Sequence, residues 1–250
     1  MGSQGHGHQH VRVNVRREVS RIRRDPMRAL LELQGEGRIP PLAATRYREA
    51  YALYAVAMER ALEQLSTATR FRKGPYYVRK YGGRYGPGQK RLARKAKQLR
   101  RFFDLDVYSS LVFSRILLDR TVALSRSFLA GGRLPSFTSF SDHKKFLRRG
   151  NHEIAAQYVD RIVNQTDWFD VPLKLIRDKF IVHAGPSYYR LDTIPWRGDD
   201  LLMTFVLTTP ALGAREDGIG LNLLTLTHQI EEFLTWFASY GAKSLMDTAS

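Results

Sequence analysis

The 250-residue chain contains no cysteine, which excludes disulfides, thiolate nucleophiles and cysteine-ligated zinc and suits a reducing compartment. Long apolar runs are missing too. Leu221 to Leu226 and Ile230 to Phe237 are broken by polar residues and fall short of the roughly 20 apolar positions that span a bilayer. The opening Met1-Gly2-Ser3-Gln4-Gly5-His6 precedes no apolar run, and His6 stands where a myristoylation signal needs Ser or Thr. These absences lead us to expect a soluble, cytoplasmic protein that does not contact membrane. Carboxylates are scattered: Asp199-Asp200 and Glu231-Glu232 are neighbours rather than facing pairs, a poor basis for a metal-dependent nuclease. A phosphate loop, a G-x-S-x-G elbow, an H-E-x-x-H pair and a dinucleotide fingerprint are all lacking. The glycine-rich YGGRYGPG follows no strong strand, and Lys90 is not followed by Ser or Thr, so a nucleotide cradle is rejected there. No cofactor and no metal site are expected. The alternating His6, His8 and His10 offer at most an adventitious metal ligand set.

What the chain does have is positive charge, and its placement says more than its total of +16. Residues 1–101 carry 24 Lys and Arg against 7 Asp and Glu, while residues 102–250 carry 16 against 17. Such segregation concentrates positive potential on one region, the arrangement that gathers a polyanion and releases its counterions. The plainer alternative is a solvated basic surface.

Periodicity predicts a mainly helical protein whose 43% hydrophobic content is enough for a real core. Residues 1–40 read as a basic, partly disordered arm, with the alternation of Val11, Val13 and Val15 suggesting a short strand before an arginine-dense run. Pro40-Pro41 marks a boundary, and 41–250 reads as one domain. Leu42 to Leu65 is a long amphipathic helix with Tyr47, Tyr51, Tyr54, Met58, Leu62 and Leu65 on its core side. A second long helix begins at Asp106 and ends before Gly131-Gly132. Shorter helices are predicted over Asp142 to Arg149, His152 to Val163 and Val171 to Ala184, the last with Asp170 as its N-cap. Tyr188 to Thr209 reads as a β-hairpin or extended excursion, and Gly220 to Leu245 as the last helix. His143, His152 and His228 read as structural.

Within this plan, 70–101 looks like a basic insertion. RFRKGPYYVRKYGGRY places Arg72, Lys73, Arg79, Lys80 and Arg84 among Tyr76, Tyr77, Tyr81 and Tyr85 on a backbone expected to stay extended. Flat rings among cations suit unpaired bases stacked along a phosphate chain, at about 1 to 3 kcal/mol per base. The adjoining helix, QKRLARKAKQLRR, contributes Lys90, Arg91, Arg94, Lys95, Lys97, Arg100 and Arg101 around a narrow apolar edge of Leu92, Ala96 and Leu99. RNA is the expected partner.

Arg177-Asp178-Lys179-Phe180-Ile181-Val182-His183, followed by the helix stop Ala184-Gly185-Pro186, resembles the Arg-x(4 to 6)-His motif of the HEPN superfamily of helical RNases, toxins and defence proteins. The resemblance implies a HEPN-like bundle in which the motif helices of a homodimer face one another and cut RNA without metal. Arg177 would neutralise the phosphodiester. His183 would move a proton near neutral pH. Asp178 would orient His183 or a partner arginine, and Lys179 would support the phosphate. It further implies 2′,3′-cyclic phosphate ends, a role as toxin or antiviral defence, and an inhibitory partner able to cover the motif. Six residues set Arg177 and His183 about 120° apart around a helix, so convergence calls for the long arginine side chain, a loosened last turn or the partner's residues. The alternative is a non-catalytic RNA- or ribonucleoprotein-binding scaffold.

Overall fold

A computed structural model of the chain describes residues 15–71, 74–75, 77–129, 134–150, 153–175, 189–195, 201–207 and 217–247. These are mainly helical. The principal elements are α1 (Val15–Ile22), α2 (Arg28–Glu32), α3 (Pro41–Phe71), α4 (Tyr77–Lys80), α5 (Pro87–Arg100), α6 (Phe103–Ala123), α7 (Phe140–Arg148), α8 (Ala156–Val163) and α9 (Leu223–Asp247). Three strands, β1 (Tyr189–Pro195), β2 (Leu201–Leu207) and β3 (Asp217–Asn222), pair antiparallel in that order, with Pro195 opposite Leu201 and Leu202 opposite Asn222. Asn222 then caps α9, its side-chain oxygen accepting from the N–H groups of Leu224 at 2.9 Å and Thr225 at 3.1 Å. The last helix accordingly starts at Leu223, later than its apolar pattern suggests.

The helix α3 forms because apolar residues recur at three- and four-residue steps, and Pro41 opens it where a missing N–H costs nothing. The Pro40 carbonyl accepts from Ala43 at 3.0 Å and Ala44 at 3.1 Å. Tyr47, Tyr54, Met58, Leu62 and Leu65 are buried as their spacing predicts. Packing against α6 closes this face. Asp106, near the start of α6, takes a hydrogen bond from Gln64 and an ion pair from Arg60 at 2.9 Å, so the two helices run antiparallel. Apolar on both sides, α6 lies inside the bundle. Its buried hydroxyls satisfy themselves on the preceding turn, Ser114 donating to the Ser110 carbonyl at 2.6 Å and Thr121 to that of Leu117 at 2.8 Å.

At the amino-terminal end, residues 11–14 of the alternating segment lie outside the described residues, and the arginine-dense run that follows, expected as part of an arm, is the helix α1. Its charges explain the difference, because Glu18 and Arg21 have partners only when folded. Glu18 accepts from His228 at 2.7 Å, and Arg21 reaches Glu231 at 2.9 Å, both on α9. Ile22 at the end of α1, and Met27, Leu30, Leu31 and Ile39 beyond it, join the same core as α3. Tyr51 donates to the Ile22 carbonyl at 2.8 Å, while the Asp25 carboxylate accepts from the Met27 N–H and the Tyr47 hydroxyl, each at 2.9 Å. Burial pushes the Asp25 carboxyl above its ordinary range, although both hydrogen bonds pull the other way. Burial likewise raises the hydroxyls of Tyr47, Tyr51 and Tyr54.

The other end is an aromatic core. Phe140 lies 4.3 Å from Phe169 and 5.5 Å from Phe233 between ring centres, and Tyr158 lies 5.5 Å from Trp236. Ser139 caps α7 by accepting from Asp142 N–H at 3.1 Å, which moves the helix start to Phe140. The shorter α8 starts at Ala156, and His152 lies outside the described residues. Of the helix expected over Val171 to Ala184, residues 176–184 lie outside the described residues, and Phe169–Leu175 is a π-helical turn that takes Asp170 inside it. Asp170 is not a cap: it accepts from Lys144 Nζ at 2.6 Å, an ammonium only 2% exposed that also donates to Thr166 at 3.0 Å. A buried ammonium needs such a partner, and that demand outweighs the capping preference of an aspartate.

Two outcomes follow. A methyl added at Gly241 of α9 would lie 2.9 Å from Phe128 and 3.2 Å from Leu30, so Gly241→Ala should cost about 1 to 3 kcal/mol in denaturant unfolding. Asp25→Asn keeps the acceptor and removes a buried charge. A raised carboxyl value favours folding below the unfolded value of about 3.9 and loses that contribution as pH rises through the folded value. The stability of Asp25→Asn relative to the parent should therefore increase from pH 3 to pH 7, whereas Asp25→Ala should be weaker throughout.

Candidate nucleic-acid interface

Between Arg70 and Arg101 the chain has thirteen Lys and Arg and no Asp or Glu, so any structure it adopts must export its charge. The backbone does not stay extended as expected. Helix α3 continues to Phe71, and Tyr77–Lys80 forms the single turn α4, because YVRK carries no glycine or proline to break it. Gly83 N–H then donates to the Val78 carbonyl at 2.8 Å, and Gly82 turns the chain at φ +73°, a left-handed conformation that favours glycine. Pro87 opens α5, and Gln89 reaches back to accept from Gly86 N–H at 3.0 Å.

Helix α5 packs on α3 through a half-buried edge of Gln89, Leu92, Ala93, Ala96 and Leu99. Lys95 pairs with Glu63 of α3 at 2.5 Å, both about half exposed, a contact worth under about 1 kcal/mol. The small apolar edge therefore holds the helix and leaves the rest to solvent. On that outer side Lys90, Arg94, Lys97 and Arg101 recur at steps of four, three and four residues and are all exposed. At 100° per residue they fall within about 60° of arc along about 16 Å of helix. They make one cationic stripe, with Arg91 beside it. Arg79, Lys80 and Arg84 are exposed on α4 and the following turn, and Lys80 Nζ lies 5.9 Å from the centre of the Tyr81 ring, itself 77% exposed. Tyr85 is half-buried. Among the described residues, no carboxylate lies within 4.0 Å of Arg79, Lys80, Arg84, Lys90, Arg91, Arg94, Lys97 or Arg101.

Arg72, Lys73 and Tyr76 lie outside the described residues, as do the side chains of Tyr77 and Arg100. So do Arg177, Asp178, Lys179 and His183. Sequence reasoning passed over Arg70, which is exposed at the end of α3, although it opens the same carboxylate-free run. His143 is fully buried, its Nε2 3.1 Å from the Tyr158 hydroxyl. A shallow cleft between α1, α3 and α9 is lined by Tyr51, Tyr54, Thr227 and Glu231, but Tyr51 and Glu231 are already engaged by Ile22 and Arg21. Among the described residues, no group of three or more His, Asp or Glu could hold a metal ion, and no helix is long and apolar enough to cross a membrane. Compared with known proteins, the chain matches no family model, no curated protein and no solved structure.

Proposed function

We propose that this protein binds single-stranded RNA along α4 and α5. The observation that carries this reading is the α5 stripe of Lys90, Arg94, Lys97 and Arg101, exposed and without carboxylate partners among the described residues. Spaced cations on a rigid rod neutralise successive phosphates and release their counterions, which supplies affinity without sequence preference. Arg79, Lys80 and Arg84 extend the track, and the exposed Tyr81 ring beside Lys80 gives a base a surface to stack on. An RNA duplex would use the cations but not the ring, so single strands should be preferred.

A second reading adds cleavage. It rests on the spacing of Arg177 and His183 and its resemblance to HEPN ribonucleases, with the β1–β2 excursion and the last helix completing a HEPN-like layout. On this reading a homodimer brings two copies of the motif around one phosphodiester. Arg177 and Lys179 hold the phosphate. His183, oriented by Asp178, takes the 2′-hydroxyl proton, and the 2′-oxygen attacks phosphorus. The 5′-oxygen leaves with a proton from the second histidine, giving 2′,3′-cyclic phosphate and 5′-hydroxyl ends without metal. Such an activity suits a cytoplasmic toxin or antiviral defence protein, restrained by a partner that covers the motif.

Binding is checked by fluorescence anisotropy with a labelled RNA oligomer across a salt series. Replacing Lys90, Arg94, Lys97 and Arg101 together by Gln should weaken binding and flatten the log Kd against log salt slope by about 2 to 3, at about 0.7 per phosphate contact on single strands. An unchanged slope would remove α5 from the interface. Cleavage is checked with the same RNA in excess chelator: cyclic-phosphate ends should form and should disappear in His183→Ala of unchanged circular dichroism. Binding without scission leaves the scaffold reading in place.

A further inference from the structure

The outer side of α3 carries a second pattern that RNA binding does not use. Arg46, Glu49, Leu53, Val56, Arg60 and Glu63 recur at alternating steps of three and four residues and are all exposed, Leu53 at 50% and Val56 at 59%. This is a heptad seam on the side of α3 away from its buried tyrosines. Thr45 and Ala52, small and exposed, flank it, so another helix could approach closely.

Charge order along the seam identifies the occupant. When a two-fold axis is placed between Leu53 and Val56, the same helix from a second copy lies antiparallel. Leu53 then faces Val56, Glu49 faces Arg60 and Arg46 faces Glu63. The two apolar residues meet each other, and every charge meets its opposite. A parallel arrangement would set Arg46 on Arg46 and Glu49 on Glu49. Arg60 holds Asp106 yet remains 55% exposed, and Glu63 holds Lys95 while also 55% exposed, so each has donors or acceptors left for a second partner. We infer that two copies of this chain associate back to back through an antiparallel pairing of their α3 helices, centred between Leu53 and Val56. The contact is isologous and closes on itself. With two Leu–Val layers between rings of ion pairs it is a weak, concentration-dependent interface. It does not depend on the RNA-binding reading, because the seam residues belong to α3 and the stripe residues to α5, which borders the seam at Glu63 through Lys95.

Sedimentation equilibrium of the full chain over a range of concentrations tests this. The mass should rise from 28.7 kDa toward twice that value. Leu53→Asp should weaken this association by at least about tenfold with only a small change in its thermal melt, since Leu53 is half exposed and lies outside the core cluster. Arg46→Glu places like charges at both ends of the seam and should weaken association by about tenfold; adding Glu63→Gln removes that repulsion without setting a cation against Lys95 and should recover part of it. Association that ignores Leu53→Asp, a double variant no better than Arg46→Glu, or monomer mass at every concentration would overturn the proposal. RNA affinity measured on Leu53→Asp separates the two readings, because it should match that of the parent chain at concentrations where both are monomeric.

Discussion

Burying one side of a 31-residue helix is the constraint that organises this protein. Helix α3 hides Tyr47, Tyr54, Met58, Leu62 and Leu65, and a stripe of that length cannot be covered by one neighbour. Helix α6 takes most of it and α1 packs on it as well, while α5 lies beside the late part of α3, where Lys95 meets Glu63. Where α3 and α6 meet, the buried Asp106 is matched by Gln64 and by Arg60. That match sets the register of the pair, because a carboxylate left unpaired in this position would carry a heavy desolvation cost.

The surfaces proposed for binding follow from what this packing leaves uncovered. Helix α5 has too little apolar surface to enter the core, so it rides on α3 by a narrow edge and turns its lysines and arginines outward. Its cations cannot neutralise one another and, among the described residues, find almost no carboxylates nearby, a condition that favours an external polyanion over internal ion pairing. The exposed side of α3 is different in kind. There charges of both signs alternate around Leu53 and Val56, which suits a copy of itself rather than RNA. Two chemically distinct faces thus arise from one helix pair.

Buried polar groups show why local rules gave way in several places. Asp170 has the residue type of a helix cap, but Lys144 takes its carboxylate inside a π-helical turn. The arginine-rich segment before Pro26 reads as an arm because its charges look unmatched in sequence. Their partners are Glu59 on α3 and Glu231 on α9, and nothing local announces an ion pair across two hundred positions. Gly74, Gly82 and Gly83 similarly suggest an extended loop, yet YVRK between them closes a helical turn.

The sequence by itself determined the helical class, the core side of α3, the two long helices and the segregation of positive charge, because each depends on periodicity or composition within a few turns. It also determined which residues of 70–101 are cationic. Tertiary structure alone decided that Lys90, Arg94, Lys97 and Arg101 face solvent together, that α1 belongs to the bundle, and that Leu53 and Val56 remain outside it. Those outcomes depend on which of several amphipathic faces meets which, a contest settled by shape, pairing of buried charge and available apolar area rather than by any local preference.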